Sequence, residues 1–296
     1  MKILCLGSLN LDFVYKVDHF VAPGETIAAL ERNQHCGGKG LNQAIALARA
    51  GATVYHAGKI GSDGEILRER LVGSGVNDSL LETDTTVPTG HAIIQVDPSG
   101  QNNIIICGGA NRSIDKSFVD RVLENFTAGD ILLLQNEISE VDYAISRAAE
   151  KGMTVALNPS PLDEALKNSP ELKKVGIFIL NEIEGFDLTG EKEPTAICKK
   201  LKSLYPDCVV MLTLGSRGSM YFDGESTYTH DIFKVNAVDT TGAGDTFTGY
   251  FLAGLAEGMD VASILELASK ASAIAVSRPG ASDSIPTRKE VETTEL

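Results

Sequence analysis

Short apolar runs recur through the second half of the chain, each separated from the next by a stretch with helical spacing. From about residue 130 the runs read ILLLQN, TVALNP, IFILN and VVMLTLG, with helix-patterned VDYAISRAAEKG and TAICKKLKSL among the segments between them. Runs that are apolar without alternation, such as Ile131–Leu134 and Val209–Leu212, predict strands buried on both faces, as in a parallel sheet covered by helices. Near the N-terminus KILCLG, the helix-like LNQAIALARAG stopped by Gly51, TVYHAGKIG and EILRERLVGSG continue the rhythm. The pattern predicts one α/β body with a mainly parallel sheet.

Two stretches break it, residues 13–36 and 91–107. The second, HAIIQVDPSGQNNIIIC, places apolar strands on either side of Asp97-Pro98-Ser99-Gly100 and leaves no room for a crossover helix, so it predicts a hairpin. Both stretches read as a small antiparallel lid inserted into the body at about 12–36 and 88–108. Its isoleucines would stay exposed unless they cover a ligand or meet a second copy. The alternative is an edge hairpin with no role. No repeat or linker divides the chain, which predicts a single domain over residues 1–296.

VDTTGAGDTFTGYF, residues 238–251, reads as a strand end, a glycine turn and the start of an amphipathic helix carrying Phe247, Phe251, Leu252 and Leu255, with Gly258 as its stop. The missing side chains of Gly242 and Gly244 allow a ligand close to the backbone, and the first helical turn offers unpaired N–H groups at a positive dipole end. Gly242, Ala243 and Gly244 are therefore a candidate anion hole. Asp245 beside them has two readings: a helix cap or dipole partner, or a carboxylate that accepts a hydroxyl proton while the amides hold a transferring phosphoryl group.

Composition narrows the field. Lys and Arg total 26 against 40 Asp and Glu, a net charge of −14, and no basic run is present, which disfavours nucleic acid but leaves small phosphate compounds open. The five scattered cysteines contain no CxxC pair and predict reduced thiols. The N-terminal MKILCLGSLN has too short an apolar run for a signal peptide, and no later stretch reaches membrane-spanning length, so a cytoplasmic protein is expected. His19, His35, His56, His91 and His230 show no metal-ligand spacing.

AVDTTGAGDTFTGYF resembles the C-terminal signature of the PfkB-type carbohydrate kinases. Further matches in order point to the ribokinase branch: GSLNLD (7–12), PGET (23–26), CGGKGLNQA (36–44), GGAN (108–111), LNPSP (157–161), NEIE (181–184), LTLGSRGS (212–219) and AIAVSRPGASDSIP (273–286). The resemblance covers about residues 3–287. It implies a three-layer αβα body with a β lid and an ATP-dependent kinase acting on the 5-hydroxyl of D-ribose, with Asp245 as the base. By the same resemblance the sugar would be held by Asn10, Asp12, Gly38, Lys39, Gly40, Asn42 and Glu137. The nucleotide would be held by Asn181, Thr213, Gly215, Ser216, Arg217, Gly218 and Gly244, with Ser269 near the base where the family often has Asn or His. Glu184 would face Mg²⁺ through water, and Asp239, Thr241, Ala275, Arg278, Gly280 and Ser284 match the positions around a potassium ion. A homodimer through the lid is also implied.

Read without the family, GGKG could be a tight turn, Asn10 and Asp12 turn chemistry, Glu137 a solvated charge and NEIE an acidic helix start. Neither a Walker A sequence nor G-x-G-x-x-G is present, so any phosphate grip must come from other loops. Leu11 and Asn136 flank the sugar positions and leave room for a related sugar. The alternatives are another kinase of the family, acting on deoxyribose, fructose or a nucleoside, or a non-catalytic sugar sensor.

Overall fold

A computed structural model describes residues 1–296. In chain order the strands are β1 (Ile3–Leu6), β2 (Asn10–Lys16), β3 (Glu31–Gly37), β4 (Val54–Gly61), β5 (Asn77–Asp84), β6 (Gly90–Val96), β7 (Asn102–Cys107), β8 (Ile131–Gln135), β9 (Thr154–Asn158), β10 (Ile177–Asn181), β11 (Val209–Thr213), β12 (Ser219–Phe222) and β13 (Thr227–His230). The helices are α1 (Lys39–Arg49), α2 (Glu65–Gly73), α3 (Lys116–Leu123), α4 (Val141–Glu150), α5 (Glu164–Lys167), α6 (Glu182–Thr189), α7 (Pro194–Leu204), α8 (Ala243–Glu257), α9 (Val261–Val276) and α10 (Arg288–Thr293).

Nine strands form the main sheet in the order β13-β12-β11-β10-β9-β8-β1-β4-β5. The seven from β11 to β5 run parallel, and β12 and β13 close one edge antiparallel. Every residue of β1 and β8 is buried, as runs without polar alternation require. One face packs against α1, α8 and α9, and the other against α3, α4 and α7, giving two apolar layers around the sheet. No helix is long and apolar enough to cross a membrane.

The lid is a four-stranded sheet in the order β3-β2-β6-β7. Its two outer pairs are antiparallel, but the central β2 and β6 pair in parallel, Asn10 opposite Gly90. The reason is topological: each of these strands leaves the body just after a parallel strand of the main sheet, β1 or β5, so both travel outward in the same direction.

Helix α8 differs from the amphipathic helix read in the sequence. It is buried on all sides from Thr246 to Gly254, because α1 and α9 enclose it. Gly249 makes the α1–α8 contact possible: a Cβ there would overlap Ala46 and come within 2.7 Å of the Leu47 amide nitrogen. In an open helix Gly→Ala stabilises by up to about 1 kcal/mol. Here the sign reverses, and Gly249→Ala should destabilise by about 1–3 kcal/mol through overpacking, read by urea unfolding.

Candidate active site

The predicted residues converge at the carboxyl ends of the parallel strands, where open α/β sheets place their ligands. Gly242 takes a left-handed conformation, φ 76°, and turns the chain into α8, whose third residue is Asp245. No side chain caps this helix. Instead the Asp245 carboxylate reaches across to α1: Asn42 Nδ2 donates to Oδ2 at 2.9 Å and Gln43 Nε2 donates to Oδ1 at 2.9 Å. The helix-cap reading of Asp245 is thereby replaced by a cross-helix grip. The N–H groups of Gly242, Gly244 and Asp245 have no backbone partner, whereas that of Ala243 turns back to the Thr240 carbonyl at 3.3 Å. The open amides thus flank Ala243.

Burial pushes the Asp245 carboxyl above the ordinary range, against the opposing pull of the Lys39 ammonium and the Gln43 and Asn42 amides. Lys39, at the start of α1, lies 3.6 Å from Glu137. Burial lowers its pKa, but Glu137, Asp245 and Glu184 outweigh that and hold it raised, so it is a firm cation among carboxylates. Glu137 also accepts the Lys39 backbone N–H at 3.0 Å and the Ser8 hydroxyl. Asp12, on β2, is pushed up to about 7 by burial and then by Glu137. Gly38 and Gly40 lie against the backbone at Ser8, which lets α1 begin under the turn from β1 into β2. Asn10 is fixed by Asn111, whose Nδ2 donates to its Oδ1 at 2.8 Å. Asn42 Oδ1 is buried with no protein donor, an acceptor left over for a hydroxyl.

Two cavities meet at this corner. The smaller, about 200 Å³, is lined by Lys39, Asn158, Ser160, Glu184, Asp245 and Thr248, among others. The larger, about 610 Å³, is walled by Gly215, Ser216 and Gly218, by Phe233 and Val235, and by Phe247, Ser269 and Val276 from α8 and α9. Asn181, Thr213 and Gly244 border both. An apolar chamber opening onto a polar one suits a molecule with a flat base at one end and phosphates at the other. Arg217 does not line either cavity; its guanidinium pairs with Glu182.

Asn181 and Glu184 hold each other in a capping box: Asn181 Oδ1 accepts the Glu184 N–H at 2.9 Å and Glu184 Oε2 accepts the Asn181 N–H at 3.0 Å. No group of three His, Cys, Asp or Glu side chains could hold a metal. The Glu184 carboxylate in the wall of a polar cavity fits a hydrated Mg²⁺. Behind the glycine turn, Asp239 accepts the N–H groups of Thr241 and Gly280, both at 2.9 Å, and Ala281 packs against Gly242. Ser284 is buried nearby and donates to the Ala281 carbonyl at 2.9 Å. Arg278 directs its guanidinium to Glu290, leaving only its carbonyl for the loop, beside the Ala275 carbonyl that its own N–H contacts. Carboxylate, carbonyl and hydroxyl oxygens without nitrogen or sulfur fit a hard alkali cation.

Three groups of residues escaped the sequence reading. Gln43 stands one helical turn after Lys39, a spacing that places both on one face of α1. Asn158 and Ser160 lie in LNPSP, noted for resemblance alone. The cavity wall at Ile232–Val235 is irregular chain with no periodic signal.

The model for the pfkB family of carbohydrate kinases matches residues 1–288. Ribokinase of Haemophilus influenzae is 36% identical over 295 residues, covering 96% of this chain and 95% of that one. The solved structure of Arabidopsis thaliana ribokinase complexed with ribose and ATP superposes with a TM-score of 0.87 at 31% identity, covering 98% and 97% of the two chains. That of Cryptococcus neoformans ribokinase in complex with ADP gives 0.86 at 33%, covering 98% of each.

The raised Asp12 acid has a consequence for stability. Its folded-state value, about 7, lies above the ordinary 3.8, so folding favours the protonated form. That contribution is fully present below about pH 4 and is lost as pH rises through about 7. Thermal melts of the ligand-free protein should therefore show a drop in Tm over that window that is smaller in Asp12→Asn; parallel curves would contradict the assignment.

Proposed function

The chain belongs to the pfkB family of carbohydrate kinases, and we propose that it transfers the γ-phosphoryl group of ATP to the 5-hydroxyl of D-ribose. The observation that carries this reading is the Asp245 carboxylate, gripped through both oxygens in the wall of the polar cavity, next to Gly244, which borders the apolar cavity as well. In this reading the apolar cavity takes the adenosine, and the free amides of Gly242, Gly244 and Asp245 face the phosphates. Thr213, Gly215, Ser216 and Gly218 wall the nucleotide side. Ribose lies among Asp12, Lys39, Asn42 and Glu137 beneath the lid, one hydroxyl donating to the orphan Asn42 Oδ1. Asn10, Gly38 and Gly40 shape the floor of that site.

Asp245 accepts the proton of the attacking hydroxyl. Phosphoryl transfer depends mainly on alignment and charge stabilisation, which the Lys39 ammonium and the helix-end amides provide. Mg²⁺ bound with ATP neutralises phosphate charge, and Glu184 would hold it through water. Asp239, Ser284 and the carbonyls of Thr241, Ala275, Arg278 and Gly280 would hold K⁺, stiffening the loop behind Gly242.

The lid edge supports a homodimer. On β7, Ile104, Ile105 and Ile106 are 49%, 60% and 61% exposed, too much apolar surface on an open strand edge to leave in water. Light scattering should give a dimer mass for the protein and a monomer mass for Ile105→Asp; a monomeric wild type would contradict the pairing.

ADP release assayed against a sugar panel should give the highest kcat/KM with ribose, above deoxyribose, fructose and nucleosides, and should rise when potassium is added. In Asp245→Asn, turnover should fall by roughly 10²-fold or more with sugar and ATP binding retained. Near-normal turnover in that variant would remove the base.

A further inference from the structure

Gln43 is fully buried on α1 and makes hydrogen bonds in three directions. Its Nε2 donates to Asp245 Oδ1 at 2.9 Å and to Asn158 Oδ1 at 3.0 Å, and its Oε1 accepts from Gln135 Nε2 at 2.7 Å. The polarity of this network is anchored by backbone. Asn158 Nδ2 donates to the Ile179 carbonyl at 2.9 Å, which has no hydrogen to give, so Asn158 must turn its oxygen toward Gln43. Gln43 in turn must offer its NH₂ group on that side and its oxygen to Gln135. A primary amide satisfies these demands in only one orientation, and that orientation aims an N–H at Asp245.

We infer that Gln43 is a positioning residue for phosphoryl transfer, holding Asp245 Oδ1 as a hydrogen-bond acceptor and fixing the plane of its carboxylate toward the sugar hydroxyl. The inference rests on Asp245 being the base. With Asn42 Nδ2 on Oδ2, both carboxylate oxygens meet donors, and neither neighbour can accept a hydrogen from a protonated Asp245 in this arrangement. The network therefore favours the ionised carboxylate against the cost of burial. The other charged or titratable groups facing Asp245 are Lys39 on α1, Glu137 after β8, Glu184 on α6 and Cys5 on β1. Lys39 favours the anion, Glu137 opposes it, and burial pushes the Cys5 thiol up to about 12, so it stays neutral. Only the amides constrain direction as well as charge.

The test is Gln43→Leu, of similar volume, in the full-length enzyme with ATP and ribose. The variant should lower kcat by roughly 10- to 100-fold and leave the dissociation constants for both ligands within about 2-fold. The acid limb of its kcat–pH profile should move to higher pH, because the ionised carboxylate loses a donor. If melting shows that this variant does not fold, Gln43→Glu keeps the shape and places a second carboxylate at hydrogen-bond distance, which should move the acid limb up by more than about one pH unit. A folded variant with unchanged kcat and acid limb overturns the inference, as does one whose loss lies wholly in KM or melting temperature. If Asp245→Asn turns over normally, the base reading itself falls, which distinguishes the two failures.

Discussion

A carboxylate on one buried helix is held by two side-chain amides on another, and the rest of the molecule arranges itself around that grip. Asp245 stands 203 positions from Asn42 and 202 from Gln43 in sequence, so no local structure could bring them together. The α1–α8 contact does so, through the absent side chain of Gly249 against Ala46. Burying an anion is costly unless donors meet it, and here two side-chain N–H groups do so while the charge of the Lys39 ammonium favours the anion from a distance, leaving the carboxylate able to take a proton. The same helix that carries the carboxylate begins with unpaired amides, so one rigid element presents both an acceptor for a proton and donors for an anion.

The surrounding features keep this corner aligned. The strand ends of β1, β8, β9, β10 and β11 supply polar residues at one rim of the sheet, and the opposite rim supplies none of the site. Behind the glycine turn, Asp239 ties residues 241 and 280 together, and Ala281 presses on Gly242. The Ser282 hydroxyl reaches the Cys36 carbonyl on the lid strand β3 at 3.3 Å, so the loop that backs the glycine turn also touches the lid. The lid, the glycine turn and Asp245 thus share a short run of connected contacts.

Much of this was legible from sequence because the apolar runs at β8, β9, β10 and β11 have one physical use, and because a glycine turn before a helix leaves unpaired amides that make it a candidate anion site. Asp245 itself was legible as a candidate, but that it does not cap its own helix could be learned only by seeing its oxygens face α1 rather than the helix-end amides. The parallel centre of the lid was hidden, since pairing between β2 and β6 depends on where β1 and β5 end. The cavity wall at Ile232–Val235 was hidden for a different reason: irregular backbone leaves no period to read. Gln43 was visible in the pattern at four residues from Lys39, yet nothing in composition tells a buried amide that orients a carboxylate from one that fills space. The family resemblance supplied the residue roles around the sugar and the ions, which spacing alone left open.

The most direct test of the central claim is a crystal structure with ribose and a non-hydrolysable ATP analogue. The account predicts the ribose 5-oxygen within hydrogen-bonding distance of Asp245, about 2.6–3.2 Å, with the terminal phosphate in line beyond it and within reach of the Gly242, Gly244 and Asp245 amides. A 5-oxygen pointing away from Asp245, or a terminal phosphate bound elsewhere than at the start of α8, would contradict it.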